Sequence, residues 1–170
     1  GTACHRAGRP RLHRRVQGLP EVERMSTSSP PLALRFECQK GCTNCCQTEG
    51  YVYITETDLK RIARYLQMTA AAFEEQYVYR TRHLLRLRKP RGAQCHFLEP
   101  ERGCRIHPVN PVQCRLYPFW PELVERPAQW RREAKRCPGI GKGDLIQIGD
   151  ALEKSSEMKS AYPGIYEDAE

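Results

Sequence analysis

Apolar positions in this chain come in short runs of differing period, which predicts short helices and strands rather than long ones. Leu32 to Phe36 alternates loosely between apolar and polar and reads as an extended segment. Gly50-Tyr51-Val52-Tyr53-Ile54 is rich in β-branched and aromatic residues and predicts a strand. Thr55 then opens a helix. Its hydroxyl can accept from the amide three residues on, while the Asp58 carboxylate accepts from the amide of Thr55, the two halves of a capping box. Leu59, Ile62, Ala63 and Leu66 recur at helical spacing, with Lys60, Arg61 and Arg64 on the opposite face. Thr69 is the expected cap of a second helix running through Ala70, Phe73 and Tyr77.

Beyond these helices, Leu84, Leu85 and Leu87 form a short apolar stretch, closed by the turn signal Lys89-Pro90-Arg91-Gly92. Cys95 to Leu98 reads as a strand and Glu99 to Gly103 as the turn after it, so an antiparallel hairpin should bring Cys95 and Cys104 together. Asn110-Pro111 pairs a helix cap with proline at the first helical position and predicts a single helical turn carrying Cys114. Tyr117-Pro118-Phe119-Trp120-Pro121 cannot continue that helix, and its aromatics are expected to roof a site. Cys137 to Gly143 reads as a tight glycine-rich loop without Walker spacing, which makes a phosphate cradle a weak reading. A last helix is expected from Asp144, with Leu145, Ile148 and Leu152 on its apolar side and fraying before Pro163.

Composition changes this picture through cysteine. The chain of 170 residues has nine, and eight of them lie between Cys38 and Cys137. The densest group is Cys38-x-x-x-Cys42-x-x-Cys45-Cys46, and Cys95, Cys104, Cys114 and Cys137 follow. Thiols two and three residues apart can converge on one ion at a sulfur–metal distance of ~2.3 Å. A disulfide framework requires a secreted context, and the first thirty residues hold no apolar run of the kind a signal peptide needs. The expected compartment is therefore the reducing cytoplasm, where such clusters serve metal or redox chemistry. Pro and Gly together number 25, and mean hydropathy is −0.69, so a loop-rich fold is expected to draw stability from bound metal.

Net charge is +8, and half of it falls in the first thirty residues, where Arg6, Arg9, Arg11, Arg14, Arg15 and Arg24 face only Glu21 and Glu23. Residues 1–31 read as a disordered extension, and the stretch before Met25 as non-native sequence. Residues 32–145 are then the cysteine-cluster domain and 146–170 a C-terminal helix and tail. The run from Arg80 to Arg91 reads as the solvated face of a strand or helix, with a phosphate-binding surface as the second reading. The implied partner is a protein that the sequence does not identify. Nucleic acid is the weaker alternative, and no run of ~18 apolar residues points to a membrane span.

Eight thiolates supply two tetrahedral sites, or one cubane cluster and a second centre. Iron-sulfur proteins often take three ligands from one short run and a fourth, followed by proline, from far away. Cys38, Cys42 and Cys45 with Cys137-Pro138 have that form, leaving Cys46 to turn toward Cys95, Cys104 or Cys114. Arg115 and Tyr117 are expected near the cofactor, as donors to thiolate or cluster sulfur. His96 and His107, close to Cys95 and Cys104, are expected to support ligands rather than to be ligands. The expected fold is a small irregular α+β domain, with short helices and a small antiparallel hairpin organised around a cysteine-ligated metal centre.

These motifs, with Cys104-x-Ile106-His107, Pro111-x-x-Cys114-Arg115-x-Tyr117-Pro118-Phe119 and Cys137-Pro138-Gly139, closely resemble the YkgJ-type cysteine-cluster family. The resemblance covers roughly residues 34–145. It implies a zinc- or iron-chelating domain, with metal identity unsettled across the family. Some relatives look like flagellin lysine N-methylases, but this chain lacks a Rossmann fingerprint and the length for a separate cofactor domain, so that activity is not carried over. Asn110 stands before Pro111 where the family commonly has arginine, which removes one basic contact. The resulting expectation is an iron-sulfur protein, with 4Fe-4S as the favoured cluster, in a redox or accessory role. The alternative is a structural zinc domain for protein or nucleic-acid interaction. Neither a Ser-His-Asp order nor paired carboxylates suggest an enzyme acting alone.

Overall fold

A computed structural model describes residues 34–89 and 94–167. The N-terminal extension, Cys4, and the predicted turn at Pro90-Arg91-Gly92 lie outside these residues. The described part is a mixed α+β arrangement of short helices and small antiparallel sheets, as its sequence pattern predicts. No helix in it is long and apolar enough to cross a membrane.

The first strand, β1 (Leu34–Phe36), enters the fold and waits for a partner more than one hundred residues away. β2 (Tyr53–Ile54) is shorter than the predicted strand, because Gln113 takes over the pairing at its start. The Gln113 side-chain oxygen accepts from the Tyr53 amide at 2.6 Å, and its side-chain nitrogen donates to the Tyr51 carbonyl at 3.2 Å. Helix α1 (Glu56–Tyr65) has the predicted capping box on Thr55 and Asp58, both bonds at 3.0 Å. Helix α2 (Ala70–Tyr77) is capped by Thr69, whose hydroxyl accepts from the Ala72 amide.

The sheet that carries these helices orders β2, β4 (Leu85–Leu87) and β3 (Val78–Arg80), all antiparallel. Period-two alternation sends Val78, Leu85 and Leu87 inward against Ile54, Leu59, Ile62, Phe73, Phe97 and Ile106, the larger core. Arg86 and Tyr79, paired across the strands, therefore face outward. The predicted hairpin forms with shorter strands, β5 (Leu98–Glu99) and β6 (Gly103–Cys104), in which Leu98 pairs with Cys104. Cys95 precedes the paired region instead of lying in it.

Helix α3 (Val112–Leu116) carries Cys114, but Asn110 does not cap it. Asn110 closes a 3-10 turn over His107–Val109, Pro111 takes the cap position, and the Val112 amide is met by the buried carboxylate of Asp58 at 3.3 Å. Asp58 thus caps α1 from its own chain segment and α3 from across the core. Helices α4 (Pro121–Val124) and α5 (Pro127–Glu133) follow, each with proline in its first turn.

The largest departure from expectation lies at Ile140–Ile146, which is a strand, β7, paired antiparallel with β1 through Leu34↔Ile146, Arg35↔Leu145 and Phe36↔Ile140. Three residues of β1 face seven of β7. The surplus bulges where Gly141 and Gly143 take φ of +87° and +75°, a conformation that suits glycine. Helix α6 (Ile148–Ala161) starts only afterwards, and its inward face is Ala151, Ser155 and Met158. Leu145, Ile148 and Leu152, expected to form the apolar face, are about half exposed. Below Pro163 the chain makes one more short helix, α7 (Pro163–Tyr166). The second core gathers Leu34, Phe119, Leu123, Trp130 and Ala151, and a third joins Leu116, Met158 and Tyr162.

Candidate metal centre

The first cysteine loop is shaped by backbone turns. The Cys42 amide donates to the Gln39 carbonyl at 3.0 Å, Gly41 adopts φ of +77°, and a 3-10 turn spans Asn44–Cys46. Within this turn the Cys46 thiol lies in hydrogen-bond contact with Cys45.

Two sets of hydrogen bonds tie this loop to the other cysteines. On one side, Glu37 donates its amide to the Gly139 carbonyl at 3.1 Å, and the Asn44 side chain donates to the Arg136 carbonyl at 2.9 Å. These bonds bracket Cys137 and bring it to the Cys38 end of the loop. On the other side, the Cys95 amide donates to the Cys46 carbonyl at 2.9 Å, which fixes the Cys95 segment under Cys46. Cys104 arrives on β6, and Cys114 on α3, held by Asp58 and Gln113. Five separate stretches of chain thus deliver eight thiols to one region.

The electrostatics join the two sides at Cys45, which acts on Cys38 and also on Cys95, Cys104 and Cys114. Burial raises the Cys38 pKa, and the nearby Cys45, Cys42 and Cys137 raise it further. Donation from the Cys46 thiol brings Cys45 and Cys104 each down to about 7, against burial that acts to raise them. Cys46 itself is held protonated by these two neighbours and by burial. Burial raises Cys95 and Cys114, with the other thiols adding to it. Cys114 keeps some contact with solvent.

The donor set suits a thiophilic metal. All eight described cysteines are free thiols, the ligand type that zinc and iron-sulfur clusters favour. Among the described residues no three potential ligands already stand at metal-binding spacing, so closure on an ion requires rotation of thiol side chains. A cleft of about 830 Å³ opens between the first loop and the β5–β6 hairpin, with Cys38, Cys42 and Cys104 in its wall beside His107.

Other expected site residues are placed as follows. Tyr117 is beside Cys137, where its hydroxyl donates to Glu133 at 2.7 Å, and burial followed by Glu133 keeps that hydroxyl protonated. Arg115 points to α6 and pairs with Glu157 at 2.8 Å. His107 lines the cleft, while His96 packs edge-on against Tyr77 with ring centres 5.8 Å apart. Phe119 sits in the second core between Phe36 and Trp130, and Trp120 donates its indole N–H to the Gln113 carbonyl. Sequence reasoning missed Asp58 as an organiser of α3, and Gln113 and Asn44 as organisers of the cysteines. These side-chain bonds span 54 or more positions except for the local cap of Asp58, and no local pattern marks such a role.

Comparison with known proteins gives a consistent result. The family model CxxCxxCC, described as a "Putative zinc- or iron-chelating domain", matches residues 37–138. An uncharacterized protein of Methanocaldococcus jannaschii is 27% identical over 138 residues, which cover 79% of this chain and 73% of that protein. No solved structure matches. Since the family match spans more than half of its residues and contains all eight clustered cysteines, the chain belongs to the CxxCxxCC family of zinc- or iron-chelating domains.

Proposed function

We propose that this protein is a cytoplasmic iron-sulfur protein whose cysteines hold a 4Fe-4S cluster, and that it serves redox chemistry or a partner enzyme. Cys38, Cys42, Cys45 and Cys137 are the proposed ligands of that cluster, and Cys46, Cys95, Cys104 and Cys114 form a second four-thiol centre. The observation that carries this reading is the pair of tethers on the first loop, Asn44 to Arg136 toward Cys137 and Cys46 to Cys95 toward the hairpin. They support a reading of the eight sulfurs as two sets of four, the number that either a cubane cluster or a tetrahedral ion requires.

When bound, the cluster would supply one-electron transfer at a potential set by its surroundings. The chain's own groups have definable tasks. Cys38 and Cys42 open onto the cleft and give a partner access to the first set. Tyr117, held by Glu133 beside Cys137, is a donor available to sulfur once it rotates from the carboxylate. Arg115 is proposed to reach thiolate sulfur on release from Glu157, its partner at 2.8 Å. Location in the cytoplasm is supported by the close cysteine spacing, which suits metal ligation better than a secreted disulfide framework.

Structural zinc is the second reading, since each set of four thiols can close on one ion. Anaerobic purification separates the two. A brown protein absorbing at about 400 nm with acid-labile sulfide supports the cluster. A colourless protein with zinc and no sulfide overturns it.

A further inference from the structure

We propose that the outward face of the three-stranded sheet binds single-stranded nucleic acid through a Tyr51–Arg86–Tyr79 stack. The Arg86 guanidinium carbon lies 3.7 Å from the Tyr51 ring centre and 4.7 Å from that of Tyr79. The Lys89 ammonium stands 5.8 Å from the Tyr51 ring. Both tyrosines nevertheless remain 49% and 47% exposed, so each ring offers open aromatic surface on a prearranged support.

Charge on this face is complementary to phosphate. Between Val78 and Lys89 the chain carries five cationic side chains and no carboxylate, and two of them, Arg86 and Lys89, stand at the tyrosine rings. Arg80 is neutralised by Glu56 and Glu74 at one edge. Arg86 has no ion pair among the described residues, and its only close partners are aromatic rings. Unpaired bases stack on such rings without regard to sequence while cations follow the backbone. A duplex hides its base faces and an acidic peptide has none, so the open rings select the single strand. RNA and DNA share this chemistry. Lys89 also lies within electrostatic reach of Cys95, but the inference does not depend on which metal the cysteines hold.

The test is fluorescence anisotropy of the full chain, as purified, with labelled oligouridylate, oligothymidylate and a duplex of the same length. The single strands should bind with affinity that falls as salt rises, and the duplex should bind more weakly. Tyr51 lies outside the strands, so Tyr51→Ala leaves the sheet pairing intact. It should weaken single-strand binding by about tenfold with metal content and melting temperature unchanged, and Tyr51→Phe should retain binding. Tyr79→Ala should add a further loss. Tighter binding of the uridylate would specify RNA, and equal binding would specify single strands in general. The proposal is overturned by absence of single-strand binding, by a duplex or oligoglutamate competing equally well, or by unchanged affinity in Tyr51→Ala.

Discussion

Replacing Gly139 by alanine tests the joint that sets Cys137 against the first cysteine loop. A methyl group there would stand 2.5 Å from the Glu37 carbonyl oxygen and 2.9 Å from a ring carbon of Phe36. The nearer obstacle is backbone, which cannot rotate aside like a side chain. Moving it strains the Glu37-to-Gly139 hydrogen bond and the Phe36↔Ile140 pairing. Overpacking of this kind costs about 1–3 kcal/mol, and the backbone contact places Gly139→Ala toward the upper end. For a domain of this size that corresponds to a fall in Tm of roughly 3–10 °C. Gly149, in the first turn of α6, has no atom within 4 Å of its would-be methyl group. Gly149→Ala should therefore raise stability, by up to about 1 kcal/mol. The assay is thermal unfolding of the anaerobically purified variants followed by circular dichroism, with metal content measured on the same samples. Gly139→Ala should melt lower and hold less metal, because the altered joint is two residues from Cys137. A Gly139→Ala protein with the melting temperature and metal content of the parent would refute the reasoning.

Asp58→Ala deprives the Thr55 and Val112 amides and Arg61 of their shared acceptor. It should cost about 2–4 kcal/mol in a urea titration, and a loss below 1 kcal/mol would contradict that role. In the metal-free, reduced chain, alkylation mapped by mass spectrometry should be fastest at Cys45 and Cys104. The thiolate is the nucleophile, so a pKa lowered to about 7 makes their rate nearly full above that pH and lets it fall about tenfold per unit below. Cys114, raised by burial, should react only at pH above the ordinary thiol range, and parallel profiles for Cys45 and Cys114 would be the contrary result. Cys45→Ser should lower bound metal and destabilise the fold while Cys4→Ser does neither, and equal metal content in the two would defeat the ligand assignment.

Features governed by near neighbours were legible in the sequence. Thr55 with Asp58, Thr69, and the turn between β5 and β6 each act within a few residues, and the structure forms all three. Strand β7 was not legible because its partner β1 is more than one hundred residues upstream. The Leu145, Ile148 and Leu152 spacing imitates a helix face that the bulged pairing then turns to solvent. Capping of α3 was misread for a related reason, since the acceptor is Asp58 on a different helix and not the adjacent Asn110. Cysteine spacing alone picked out the candidate ligands. Their neighbours depend on single long-range bonds from Asn44 and Cys95, which spacing does not encode.

Metal and acid-labile sulfide analysis of anaerobically purified, reduced protein tests the central claim most directly. Iron and sulfide in about equal amounts, with the clustered thiols protected from alkylation until the metal is removed, is the predicted result. A fully folded, reduced protein containing neither iron nor zinc, with all eight clustered thiols reactive, would contradict it.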